Sequence, residues 1–145
     1  MKRTLFLSIL IVFFTTSFLS IVGCNNHKTT KTKDKLQEKC EKWCKEYFNK
    51  ENGSGTINDK EQSESISYQS HYNKKTNKCF IILNEHGFKK SNKTSYKMKS
   101  LFNMNEKKKY GFFYNIGKST ICNVLENKCK SEQEWDLLVK SYMED

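Results

Sequence analysis

The chain has 145 residues and a formal net charge of +10, from 26 basic and 16 acidic side chains. This length provides one domain and excludes two domains of ordinary size. Arg3 is the only arginine, and because arginine is the preferred reader of base edges, the basic charge gives no support to specific nucleic-acid binding. The charge instead indicates a soluble, lysine-rich surface, or one that attaches to anionic lipid or glycan.

The first 24 residues differ in character from the rest of the chain. A basic start at Lys2 and Arg3 is followed by an uncharged, largely apolar run over Thr4–Gly23, and the sequence IVGC closes the segment at residues 21–24. A basic start, an apolar core and small residues before a cleavage site are the features of a secretory signal. The run is also about long enough to span a bilayer, so an uncleaved anchor and ordinary secretion are alternatives. All three interpretations place residues 25–145 outside the cytoplasm.

The sequence IVGC resembles the lipobox of bacterial lipoproteins, in which an aliphatic, a tolerant and a small residue precede an obligatory cysteine. The resemblance implies that residues 1–23 are a signal peptide, that Cys24 carries diacylglycerol, and that the new N-terminus is acylated. Several acyl chains anchor a protein stably where one chain binds only weakly. The expected location is therefore the cell envelope, and Asn25 after the cysteine favours the outer membrane, facing the periplasm, in a cell with two membranes. Cleavage would leave 122 residues with a charge of +8.

The cleaved chain is predicted to contain a tether, a helix, a sheet and a second helix. Residues 24–34 are polar and lack apolar periodicity, which indicates a flexible lipidated tether. Apolar side chains recur at helical spacing over 35–50, which predicts an amphipathic helix that ends at the glycine-containing stretch 52–55. Near the other end, Ser131 as N-cap and Glu134 as its partner fit a capping box, which predicts the start of a second helix.

Between these helices, alternating or apolar segments separated by polar turns predict four to five strands. The predicted strands are Ile66–Tyr72, Lys78–Leu83, Tyr96–Phe102, Tyr110–Ile116 and, near an edge, Ser119–Val124. The stretches 53–63 and 84–95 are predicted to be loops or turns. Closely spaced strands favour an antiparallel meander, and helices at both ends make residues 35–145 a single α+β domain.

Five cysteines remain once one is assigned to lipid, and an exported location favours disulfides among them. Cys122 and Cys129 bracket a short loop and are predicted to pair. The first helix must dock on the sheet to bury its apolar side, which would bring either Cys40 or Cys44 beside Cys79. One cysteine is then left over. Because the sequence has no CxxC motif and its histidines show no ligand spacing, we predict no metal and no other cofactor.

Several segments resemble a group of uncharacterised exported bacterial proteins. They are the helix from Cys40 to Phe48, the segment Ser70–Phe80, and the tail segments Cys129–Asp136 and Tyr142–Glu144. The resemblance implies the disulfides Cys40–Cys79 and Cys122–Cys129. It leaves Cys44 outside the shared pattern, with either a free thiol or an alternative partner. The group has no established activity, so only the fold and the disulfide pattern follow from it.

The sequence offers no catalytic constellation. Ser70 and His71 are adjacent, so on a strand they point to opposite faces and cannot act as nucleophile and base. The segment Tyr72–Asn77 is instead predicted to be a structured turn ahead of Cys79. We therefore expect a non-enzymatic, membrane-anchored binding or inhibitory module with an envelope protein as its partner. The alternatives are charge-driven attachment to anionic envelope polymer or lipid, and a thiol-redox or other enzyme that uses Cys44.

Overall fold

A computed structural model describes residues 27–53 and 55–145, and in it seven strands lie between two helices. Helix α1 covers His27–Asn52 and helix α2 covers Glu132–Met143. The strands are β1 (Thr56–Asn58), β2 (Gln62–Asn73), β3 (Lys78–Lys89), β4 (Thr94–Asn103), β5 (Lys108–Ile116), β6 (Ser119–Val124) and β7 (Asn127–Lys128). They form one antiparallel sheet in the order β1 to β7, so every strand pairs with its neighbours in sequence. The predicted signal peptide and lipidation residue Cys24 lie outside the described residues.

The prediction of an α+β chain with an antiparallel meander and two disulfides is confirmed, but the predicted number of strands is wrong. The sheet has seven strands rather than four to five. The additional strands, β1 and β7, have three and two residues, and all of their side chains are exposed. Such short edge strands bury no apolar face, so hydrophobic alternation cannot reveal them, and main-chain pairing alone defines them.

The four strands β2 to β5 are also longer than predicted, and β3 differs most. β3 continues to Lys89 and so includes the first half of the stretch 84–95, which the sequence predicts to be a turn. Its polar end is paired on both sides, since Glu85 lies between Ile66 of β2 and Met98 of β4. A strand with neighbours on both sides satisfies its main-chain groups whatever its side chains are. The chain therefore turns only at residues 90–93.

Helix α1 begins at His27, eight residues before the predicted start at residue 35. The predicted tether over residues 24–34 therefore overlaps the helix from His27 onward. Residues 27–52 contain neither glycine nor proline, so no strong helix breaker precedes the turn at Gly53. Apolar periodicity identifies the part of a helix that packs against the core. It does not predict a polar extension of the same helix. Among the described residues, no helix is long and apolar enough to span a membrane.

The two helices lie against opposite faces of the sheet. Cys40 and Cys44 of α1 are buried with Cys79 and Ile81 of β3, whereas Trp135 and Val139 of α2 are buried with Phe80 and Ile82 of the same strand. Successive side chains of a strand point to opposite faces. We call the two sides the α1 face and the α2 face. Residues Lys31–Asp145 form one compact unit around these two apolar clusters.

The ends of α2 are tied to the chain by polar side chains. At its start, the Ser131 hydroxyl accepts a hydrogen bond from Glu134 N, 3.2 Å away, which confirms the predicted N-cap. Glu134 accepts from Lys130 N at 2.8 Å, one residue before the backbone group that a capping box predicts. At its far end, the buried Asn73 amide donates to three carbonyl oxygens, at Ser141, Tyr142 and Glu144.

Candidate binding surface

Helix α1 covers only one side of the α1 face. Its N-terminal half lies by the end of β2, where Tyr72 N donates to Gln37 Oε1 at 2.8 Å. Further along, the Phe48 ring lies 4.7 Å from the Tyr68 ring of β2, and the Tyr47 ring lies 6.0 Å from Phe102 at the end of β4. These contacts place α1 along β2 and β3. The rest of β4, together with β5 and β6, continues the sheet beside the helix.

On this side, which neither of the two described helices covers, the sheet presents apolar side chains. Register places them on one face, because Tyr96 pairs with Ile116, and Met98, Tyr114 and Ile121 form one cross-strand row. The aromatic surface consists of Tyr96, Met98, Phe102, Phe112, Tyr114, Ile116 and Ile121. All are half-buried except Ile121, which is 61% exposed. A patch of this kind on a folded chain marks an interaction site more often than an accident of composition.

The rings of this surface form a continuous row. The Phe112 and Tyr114 rings are stacked with centroids 6.3 Å apart and planes 16° from parallel, and the Tyr96 and Tyr114 centroids are 6.1 Å apart. Lys109 Nζ lies over the far end of the row, 5.1 Å from the Phe112 centroid and 5.3 Å from that of Phe102. An ammonium group at this distance is attracted by the ring face. The row therefore ends in a positive charge.

The opposite end of the row is acidic. The Tyr96 ring lies across Gly87, where a Cβ atom would come within 2.2 Å of two ring carbons, so only glycine fits beneath it. The Tyr96 hydroxyl donates to Glu64 Oε2 at 2.8 Å. Burial, and then this hydrogen bond, raise the pKa of Tyr96. Burial and the neighbouring Glu64 raise the pKa of Glu85, which stands beside Met98 in the next row.

The part of the α2 face beside the N-terminal end of α2, where Lys97 pairs with Glu132 of that helix, differs in character. One cross-strand row there runs through Ser65, His86, Lys97, Asn115 and Thr120, and all five are polar. A sheet face that meets water is expected to be polar, as this row is. The two faces come from the same strands, so the apolar character of the α1 face is not a general property of these segments. This contrast makes the aromatic surface the candidate binding site.

The cysteines form a bridge on each face. Cys40 is bonded to Cys79 on the α1 face, and Cys122 to Cys129 on the α2 face; these are the two pairs that the resemblance implied. Cys44 is free and fully buried. Its sulfur lies 3.5 Å from Cys79 Sγ.

The surroundings of Cys44 oppose reactivity. Burial, and to a lesser degree the charge of Glu41, raise the pKa of its thiol to about 12. A reactive cysteine needs a lowered pKa and access to solvent. The Cys44 thiol meets neither condition in this fold, so its surroundings give no support to the hypothesis of a thiol-redox enzyme.

Among the described residues, one group of three side chains that could ligate a metal lies close together. It consists of Cys40, Cys44 and Cys79. Their sulfurs lie within 4.8 Å of one another. Because Cys40 and Cys79 are bonded to each other, the group offers one thiol rather than three thiolates. Sequence spacing missed the grouping, since Cys79 joins the helix pair only through docking of α1 on β3.

The Ser70–His71 pair lies as strand geometry requires, with its side chains on opposite faces. His71 Nε2 is 3.4 Å from Asp145 Oδ1 at the C-terminus. The predicted structured turn after β2 is confirmed: Asn73 Oδ1 accepts from Thr76 N at 2.9 Å, and the Tyr72 hydroxyl donates to Asn77 Oδ1. These residues have structural contacts that account for their positions.

Comparison of the chain with protein-family models, with curated proteins and with solved structures finds no significant match. The aromatic surface is therefore interpreted from its own geometry. Its residues lie on predicted strands, but no sequence pattern marks them as a site. Their signal was apolar alternation, which buried strands share, and only the docked position of α1 separates covered from uncovered positions.

Proposed function

We propose that this chain is a membrane-anchored lipoprotein of the cell envelope whose domain binds a protein partner through the aromatic surface. The anchor is supported by the lipobox-like sequence that ends at Cys24. The binding role is supported by one observation above all: the apolar side chains of the α1 face that lie beyond α1 contrast with a polar cross-strand row on the opposite face.

The composition of the surface favours a protein as the partner. Tyrosine, phenylalanine and methionine are enriched at protein interfaces, and tyrosine is among the residues that carry most binding energy. Tyr96 and Tyr114 each combine a large apolar ring with a polar hydroxyl. The row of rings also has little rotational freedom to lose, because neighbouring rings already support one another. Such preorganisation reduces the entropy cost of binding.

Charge-driven attachment to anionic polymer or lipid is the alternative, and the expected charge of +8 after cleavage supports it. The two candidates differ in their response to salt. Contacts between exposed charges are screened at high ionic strength, whereas burial of aromatic surface is not weakened in this way.

The test captures the full-length chain from detergent-solubilised envelopes of the cells that produce it, at moderate and at high salt. The informative variant is Tyr114→Ser, at the centre of the ring row. A matched control is Leu137→Ser, which removes an apolar side chain that is 71% exposed on α2. We expect a protein partner to survive high salt with the wild type and the control, and to be lost with Tyr114→Ser. Thermal unfolding followed by circular dichroism verifies that each variant is folded.

Two outcomes contradict the proposal. Retention of the partner by Tyr114→Ser would remove the aromatic surface from the interaction. Loss of every partner at high salt would favour lysine electrostatics instead.

A further inference from the structure

The shape of the uncovered strip matches one α-helix. Three strands spaced about 4.8 Å apart make β4–β6 about 10 Å wide, which equals the diameter of a helix with its side chains. From Tyr96 to Phe102 the strip is about 20 Å long, the length of a helix of about 13 residues. Helix α1 borders this strip on one side and lies on the same face.

We infer that the occupant of the strip is an amphipathic α-helix of a partner protein, which packs beside α1 and completes the helical layer of that face. This inference rests on the proposed function, and it specifies the partner's secondary structure. Helix-in-groove recognition uses an apolar helical stripe, and the strip supplies the complementary apolar floor. The wall is α1, whose Tyr47 ring lies tilted against Phe102 at the edge of the strip.

The charges over the strip assign a direction to the bound helix. Glu64 and Glu85 lie at the Tyr96 end, and Lys109 lies over the rings at the other end. The N-terminus of a helix carries partial positive charge and its C-terminus partial negative charge. The bound helix therefore has its N-terminus beside the glutamates and its C-terminus beside Lys109.

This direction is antiparallel to α1. Gln37, in the N-terminal half of α1, accepts a hydrogen bond from Tyr72 at the Lys109 end of the sheet, and Phe48, near the end of α1, lies by Tyr68 towards the glutamates. Antiparallel neighbours place opposite helix dipoles side by side, which is favourable. A glycan strand or a lipid surface has no such direction to satisfy; these two and a second copy of the chain are distinct outcomes of the test.

The test is photo-crosslinking of the full-length chain in the cells that produce it. One variant carries p-benzoylphenylalanine in place of Ile116, at the glutamate end, and a second carries it in place of Phe112, towards Lys109. A control variant carries it in place of Ser67, an exposed residue of the α2 face. Adducts are digested and the crosslinked residues of the partner are identified by mass spectrometry.

We expect both surface positions to crosslink to one amphipathic, helix-forming segment of another protein. Ile116 and Phe112 are about 13 Å apart along β5, so the two crosslinked partner residues should be about nine positions apart. The Ile116 adduct should lie nearer the N-terminus of that segment. The Ser67 control should give no adduct with it.

The inference is overturned by an adduct with an extended segment, with a second copy, with lipid or with glycan, by the reverse order of crosslinks, or by adducts no more frequent than those of the control. Its failure is distinguishable from that of the proposed function. If Tyr114→Ser abolishes capture but the adducts map to a non-helical segment, the binding surface stands and the helix does not. If Tyr114→Ser leaves capture unchanged, the binding surface itself is wrong.

Discussion

The Cys44 thiol should be nearly inert in the folded protein. Its pKa of about 12 stands well above the unperturbed value of 9.0. Alkylating reagents attack the thiolate, and a pKa raised by about three units reduces the thiolate fraction near pH 8 about a thousandfold. We therefore expect iodoacetamide to modify Cys44 at least about a thousandfold more slowly than it modifies an unfolded cysteine peptide. Full burial slows access further.

The assay is timed alkylation of the oxidised chain at pH 8, followed by intact mass, in buffer and in concentrated urea. Every chain tested carries Cys24→Ala, so that Cys44 is the one cysteine outside the two disulfides. Cys44→Ala is the control, because it identifies the modified position and should take up no label under either condition. Labelling of the chain that retains Cys44 should appear only when urea unfolds the domain. Native labelling within about tenfold of the peptide rate would refute the argument, and would restore support for a thiol-redox function.

The same thiol makes stability depend on alkaline pH. Below pH 9 both the folded and the unfolded chain keep the Cys44 proton. Between pH 9 and pH 12 only the unfolded chain loses it, so the unfolded state binds fewer protons and the free energy of unfolding falls as pH rises. From pH 8 to pH 10 this contribution is about 1.4 kcal/mol. Cys44→Ala should lack it, and urea unfolding of both proteins at the two pH values measures the difference.

Three further predictions concern other parts of the chain. Asn73→Ala should lower the free energy of unfolding by about 3 kcal/mol, since it removes a buried amide that donates to three carbonyls at the end of α2, at about 1 kcal/mol each. Asn92→Ala, in an exposed turn, should change it by less than about 0.5 kcal/mol, and equal effects in urea unfolding would contradict the assigned role. Ser131→Ala should cost about 1 kcal/mol by loss of the N-cap, and an unchanged urea midpoint would show that the cap contributes nothing. Cys24→Ala should abolish incorporation of labelled palmitate and release the chain from the membrane fraction, whereas persistent labelling would contradict the proposed anchor.

The features that the sequence predicted correctly depend on local patterns. The N-cap at Ser131 needs only a hydroxyl and a nearby backbone N–H, and the alternation of β4 and β5 needs only one buried or shielded face. Local patterns do not determine which of Cys40 and Cys44 pairs with Cys79. One turn apart, both lie on the side of α1 that meets Cys79, and both are buried there. Only the docked position of the helix brings Cys40 into bonding distance and leaves Cys44 3.5 Å from the same sulfur.

The aromatic surface follows from a mismatch between how much apolar sheet the chain makes and how much helix it has to cover it. Seven strands span about 29 Å, whereas one helix is about 10 Å wide. Each face receives a single helix, and on the α2 face Ser65 and Asn115 belong to a polar row beside the N-terminal end of α2. On the α1 face the sheet carries the aromatic rings of Tyr96 and Tyr114 at positions that α1 does not cover. A sequence that makes one face polar where it meets water, and leaves the other apolar over the width of a helix, has the pattern expected of a sheet whose remaining cover comes from another molecule.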